Sequence, residues 1–303
     1  MKGEKKMAEE NKNTNVEIKD EDKKVKSSLM KKGRKTIQVL QKMKDNGEKI
    51  VQMCPADRDK YFAMAADMAG CDVLRLTVPG ENAEMRAANA PWWIRTIRGA
   101  AQYIHINFVP QTCAVSNLND AFKNCSIYQT EGADSINIMG INNEMCKYLS
   151  DNYVVLFGHV GALSGWQTAG FGGYKRLGKT AEDAYKVFKM AYEYQENGMK
   201  AMTIELTPIE VTNIVAKKLR IPVINIAAGG AADGSEMVDF DTFNMMPSLA
   251  THAKVYGDFF KFAVGGYAAW ANDVRTGVYP EDKHGFHMDP EELAKFEEMV
   301  KDF

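Results

Sequence analysis

The chain has 303 residues, 45% hydrophobic and 26% charged, an ordinary balance for a globular protein with room for one large domain or two small ones. A formal net charge of −2 supplies no global basic field, which argues against nucleic acid or anionic membrane as a partner. No apolar run is long enough to span a bilayer, and the N-terminus lacks the apolar core of a secretory signal, so the expected location is cytoplasmic.

Residues 1–32 are dominated by Lys, Glu, Asp and Asn with scattered apolar positions, the composition of a disordered charged tail. Residues 33–303 read as one folded domain. A helix over 35–46 stops at Asn46-Gly47, followed by a strand at "KIVQMC" and a helix over 57–69 ending at Gly70. The alternation continues with strands at "DVLRLTV", "YIHINFV", "SINIMGI", "YVVLFGHV", "AMTIELT" and "PVINIAAGG". Helices fall between them at 91–101, 117–131, 142–151, 180–197 and 209–218, an eighth strand is expected near "EMVDF", and the stretch from 247 onward is helical, closing the barrel or packing outside it. Cys54, Cys71, Cys113, Cys125 and Cys146 form no CxxC pair, which points to free thiols rather than disulfides or structural zinc.

Eight strand–helix units predict an α/β fold with parallel strands, a (β/α)8 TIM barrel; the first strand is followed by "CPADRD", with no glycine to cradle phosphate. Chemistry in this fold sits at the C-terminal strand ends, which narrows the candidates to a few segments: 54–57, 77–81, 107–112, 137–142, 159–179, 205–207 and 227–233. Glu205 stands in an otherwise uncharged strand. A carboxylate there is costly unless paired or protonated, so it reads as a general base or acid with a raised pKa, or else as a salt-bridged rim residue. His159 ends an apolar strand. It is either a satisfied core histidine or a donor to a substrate oxygen. Thr77, Asn107 and Asn137 lie at strand ends as candidate substrate contacts, and "GGYKRLGKT" reads as a solvated loop or a lid whose Lys175, Arg176 or Lys179 meets an anion.

Four segments resemble the ketopantoate hydroxymethyltransferase family: "MKDNGEKIVQMCPADRDKYFAMAADMAGCDVLRL", "GHVGALSGWQTAGFGGYKRLGKTAEDA", "ELTPIEVTNIVAKKLRIPVINIAAGGAADG" and "VRTGVYPEDKHGF". They run in family order from about residue 33 to 287. The resemblance implies a barrel of the phosphoenolpyruvate mutase/isocitrate lyase type, a homo-oligomer, and a small anionic 2-oxo acid as substrate. It also implies proton removal beside the ketone, addition of the enolate to the one-carbon unit of 5,10-methylenetetrahydrofolate, and Mg2+ chelated to the substrate. Glu205 falls at the family's proton-transferring glutamate and His159 at its glycine-histidine.

The same resemblance exposes departures. Val78 and Pro79 stand where the family has a metal aspartate and a substrate serine, Asn107 or Phe108 where it has a second aspartate, and Asn137 and Met139 where it has Lys-Leu-Glu. Magnesium seeks hard anionic oxygens, so no metal ligand is assigned. Asn107, Asn137, His105 and His159 are left as donors to an enolate oxygen, with Glu81, Cys113 and His159 as a conceivable displaced metal set. Two readings follow: an enzyme with altered electrophile stabilisation, or an inactive paralogue serving as a binding or oligomer-partner barrel.

Overall fold

A computed structural model describes residues 33–55, 59–163, 165–246 and 250–302. The expected tail at 1–32 and the candidate Asp57 lie outside the described residues. Helix α1 (Ile37–Asp45) precedes β1 (Ile50–Cys54); then come α2 (Lys60–Ala69), β2 (Val73–Leu76), α3 (Ala83–Ala100), β3 (His105–Phe108), α4 (Leu118–Thr130), β4 (Ser135–Ile136) and α5 (Asn143–Asp151). The second half runs β5 (Phe157–Gly161), α6 (Ala181–Glu196), β6 (Ala201–Glu205), α7 (Ile209–Lys218), β7 (Val223–Ile226), β8 (Gly234–Val238), α8 (Asp239–Thr242), α9 (Phe259–Thr276) and α10 (Pro290–Met299).

The strands form one 8-stranded parallel sheet in the order β4-β3-β2-β1-β8-β7-β6-β5, and an isolated bridge between Ile136 and Leu156 joins its two ends into the expected barrel. Strand alternation sorts the side chains. Leu74, Leu76, Ile106, Phe108, Ile136, Val160, Met202 and Ile204 pack into the layer between sheet and helices. Ile50, Val73, Phe157, Ala201 and Ile224 fill the lower interior, where Leu40 and Met43 of α1 plug the barrel floor. Lys35 holds Asp72 at 2.5 Å and Lys44 holds Asp233 at 2.7 Å at that same end, so the floor is built for stability and leaves the opposite, C-terminal rim for chemistry.

Several boundaries differ from expectation for identifiable reasons. The helix expected at 91–101 begins at Ala83, because Asn82 accepts a hydrogen bond from the Met85 amide as an N-cap and Pro91 sits inside the helix instead of starting it. The chain spends only two residues on β4, and β8 begins at Gly234, with Asp239 opening α8. The C-terminal stretch does not close the barrel and touches its outside only lightly: Phe259 at the start of α9 meets Phe62 of α2 edge-on, but α9 and α10 contain no buried residue, and Val51 on the outer face of β1 is 48% exposed. No helix among the described residues is long and apolar enough to cross a membrane.

Candidate active site

Alternation along β6 turns Ala201, Thr203 and Glu205 inward and delivers Glu205 to the rim. Its carboxylate is buried, with one oxygen, Oε2, 2.7 Å from His159 Nε2 and the other, Oε1, accepting a hydrogen bond from the Tyr174 hydroxyl. His159 comes from β5, which pairs with β6 so that Gly161 lies beside Glu205 and His159 beside Thr203. Burial pushes the Glu205 pKa up, but His159, Tyr174 and the Arg75 guanidinium push it down harder, so it sits below the ordinary carboxylate value. This corrects the expectation of a raised pKa: the group is an ionised carboxylate at neutral pH. The residue after it, Leu206, adopts φ 52°, a left-handed conformation unusual for a branched side chain and the kind of local strain that clusters at functional sites.

Facing this carboxylate across the interior, the two asparagines are fully buried. Asn107 Oδ1 accepts from Ser135 Oγ at 3.1 Å, and Ser135 is in turn 2.8 Å from His105 Nε2, while Asn107 Nδ2 has no partner among the described residues. Among the described residues neither Nδ2 nor Oδ1 of Asn137 has a partner, and neither ring nitrogen of His159 has a hydrogen bond of good geometry, although Nε2 lies 2.7 Å from Glu205 Oε2. Native proteins rarely leave buried amides orphaned, so these atoms mark a place where a ligand or water completes the hydrogen bonds. We expect Asn137→Leu to raise the unfolding free energy by about 1–3 kcal/mol in chemical denaturation while weakening substrate turnover, because it removes a stranded amide that is also a candidate ligand contact.

His105, offered by the sequence as an oxyanion donor, lies deeper; burial lowers its pKa to about 4, and its Nδ1 is 3.2 Å from the Lys35 carbonyl. It positions Asn107 through Ser135 instead. Thr77 turns into a cavity of about 590 Å3 over β2, β3 and β4, shared with Arg86, Gln111, Asn142 and Gln167. The loop after β5 bends back over the rim, where Leu177 N donates to Leu206 O at 3.2 Å. On that loop it is Tyr174 that reaches Glu205, while Lys175 is exposed. Together with His252, Arg176 and Lys179 line a cavity of about 760 Å3 beside β7 and β8 that also reaches Leu206, Thr207 and the buried Glu236. Glu81 and Cys113 are exposed and do not join His159.

The sequence reading passed over three inward residues. Arg75 on β2 is buried, and its Nε lies 2.5 Å from Glu236 Oε1. Glu236 on β8 is also hydrogen-bonded by Gln52 of β1, its register partner. The signal was available: in "DVLRLTV" and "GSEMV" the charged residue shares the inward parity of its strand.

The family model for ketopantoate hydroxymethyltransferase matches residues 34–282. The chain belongs to that family. It is therefore a transferase of the carbon–carbon bond-forming kind, working on a 2-oxo acid. It is 27% identical to 3-methyl-2-oxobutanoate hydroxymethyltransferase 1 of Methylibium petroleiphilum, with 88% of this chain and 94% of that protein covered. The enzyme of the same name from Lysinibacillus sphaericus is 32% identical over 86% of this chain and 96% of its own. Among solved structures, 2,3-dimethylmalate lyase, a phosphoenolpyruvate mutase/isocitrate lyase superfamily member, superposes with a TM-score of 0.52 at 12% identity, covering 88% of this chain and 95% of that one; this likeness concerns the fold.

The family implies magnesium, but the donors at the rim do not suit it. No group of three or more His, Cys, Asp and Glu side chains among the described residues is placed to hold a metal ion. The groups that converge are amides, an imidazole, a phenol and a guanidinium, with two carboxylates already engaged: Glu205 by His159 and Tyr174, and Glu236 by Arg75 and Gln52. Magnesium takes near-octahedral hard oxygens, mostly anionic carboxylate or phosphate together with water.

Proposed function

We propose that this chain forms a carbon–carbon bond beside the ketone of a small 2-oxo acid, of which 3-methyl-2-oxobutanoate is the type, with Glu205 as the proton-transfer group and a folate-bound methylene as the one-carbon donor. The supporting observation is the buried, ionised Glu205 at the mouth of the barrel, flanked by His159 and faced by orphaned amides. His159 fixes one carboxylate oxygen. The other is occupied by Tyr174, so the loop carrying Tyr174 withdraws as substrate enters and Oε1 becomes free to take the proton from the carbon beside the ketone. Charge then develops on the ketone oxygen, and the Nδ2 groups of Asn107 and Asn137 are available as donors to it. The resulting enolate carbon attacks the methylene carbon, whose bond to folate nitrogen breaks. Thr77 and Lys175 stay as candidate substrate contacts, at the cavity wall and on the loop respectively. No step passes through magnesium.

Proton exchange tests this reading against that of an inactive binding barrel. In heavy water the protein is expected to exchange the proton beside the ketone of 3-methyl-2-oxobutanoate, followed by NMR without folate present. Silence across a panel of branched and linear 2-oxo acids would decide for the inactive paralogue. The exposed aromatic run of α9, including Phe260, Phe262, Tyr267 and Trp270, supports the further reading that the protein works as a homo-oligomer.

A further inference from the structure

A 2-oxo acid entering this site brings a carboxylate toward Glu205, and two anions in a low-dielectric cavity repel strongly. Some fixed positive charge has to be present. Among the described inward-facing strand residues, the permanent cation is Arg75. Its surroundings are specific. Nε is held by Glu236, which is itself fixed by Gln52, so the guanidinium plane is anchored from one side. Among the described residues neither terminal nitrogen of Arg75 has a hydrogen-bond partner, and neither is fully enclosed as the orphaned amide atoms are. Asn107, whose Nδ2 is orphaned, is the register partner of Arg75 on β3. The charge of Arg75 is felt by Glu205, Tyr174 and Cys54, which places it at the reacting end of the barrel and not in the floor.

We propose that the two terminal nitrogens of Arg75 bind the carboxylate oxygen and the adjacent ketone oxygen of the 2-oxo acid, so that a guanidinium supplies the positive charge at the place where the acidic metal ligands are missing. A planar fork with two parallel donors matches two syn oxygens on adjacent carbons. The Glu236–Gln52 pair serves as the anchor that keeps the fork facing the cavity. As negative charge moves onto the ketone oxygen during proton removal, it develops against a donor already in place. This inference rests on the 2-oxo acid reading above, but it concerns binding and can be separated from turnover.

The experiment measures binding by calorimetry in EDTA, comparing 3-methyl-2-oxobutanoate with the uncharged ketone 3-methyl-2-butanone. Wild-type protein is expected to bind the acid more tightly than the ketone without metal. Arg75→Met should weaken the acid about 10- to 100-fold and the ketone, which offers only one of the two oxygens, by clearly less. Because Arg75→Met strands Glu236, the double variant Arg75→Met with Glu236→Gln removes both charges together and should show the same loss in a folded protein; Arg75→Lys should recover only part of it. The proposal is overturned if wild-type binding of the acid requires added magnesium, if acid and ketone bind alike, or if the double variant binds the acid as wild type does. Proton exchange is read in the same samples. Arg75-dependent binding without exchange would sink the catalytic reading and leave this one standing, while magnesium-dependent exchange unaffected in the double variant would do the reverse.

Discussion

Glu205→Gln should lower the rate of proton exchange beside the ketone by about 100- to 10,000-fold, the range associated with a positioned general base, while the substrate still binds. The amide keeps the size and the hydrogen-bonding shape of the carboxylate, so His159 and Tyr174 retain something to touch, but it cannot accept the proton. Measuring exchange by NMR and binding by calorimetry on the same variant separates the two effects; a variant that exchanges as fast as wild type would remove Glu205 from the mechanism. The pH profile carries independent information. Since His159, Tyr174 and Arg75 outweigh burial and hold the Glu205 pKa below its ordinary value, the active carboxylate form persists through neutrality and is lost only on acidification. Exchange should therefore be flat near neutral pH and fall on the acid side with a midpoint below that of a free glutamate. Tyr174→Phe removes one of the groups lowering that pKa in the free protein, so the acid limb of kcat/KM for exchange should move upward in pH. Stability follows the same sign: a depressed folded-state pKa contributes stability that is complete above the unfolded value and disappears as pH falls through the folded value, and Glu205→Gln should erase that contribution.

The alternation of short apolar strands with longer helices was enough to read the barrel, because parallel strands covered by helices leave a continuous hydrophobic trace whose period and length distinguish the two elements. Rim placement then pointed to Glu205 and His159, which the fold brings to 2.7 Å although they stand 46 positions apart in the chain. What escaped was the direction of the Glu205 pKa, which depends on contacts made across strands and from a loop. Tyr174 could be recognised only as part of a glycine-rich segment, since nothing local says which side chain of "GGYKRLGKT" folds back onto the rim. Arg75 and Glu236 are different: the parity of their strands already pointed both inward, but each looked like an isolated charge until β1, β2 and β8 were placed side by side by the barrel's closure. The extent of α3 was obscured by Pro91, because a proline suggests a helix start more often than an interior position.

Gly161→Ala should be the most damaging small substitution near the site, costing about 2–5 kcal/mol of stability and abolishing exchange. Gly161 closes β5 at φ +83°, where an L side chain is strained, and a Cβ there would lie 2.1 Å from the Glu205 carbonyl oxygen and 3.0 Å from Thr207 Cγ2. The first of these contacts is with backbone, so no rotamer change relieves it. It also strikes the peptide that holds the catalytic candidate: Ala162 N donates to that same Glu205 oxygen at 2.9 Å, and Gly161 and Glu205 are register partners. An added methyl must separate β5 from β6 where His159 and Glu205 meet, so the loss of stability and the loss of exchange share one cause. Gly170, in the same glycine-rich segment, provides the control, since a Cβ there has no other atom within 4 Å and its φ is not in the left-handed region. Gly170→Ala should unfold at the wild-type denaturant midpoint and exchange normally. If the two variants behaved alike in denaturation, the close seam between β5 and β6 would not be what holds the carboxylate against the imidazole, and Gly161 would have to be explained by the loop that follows it.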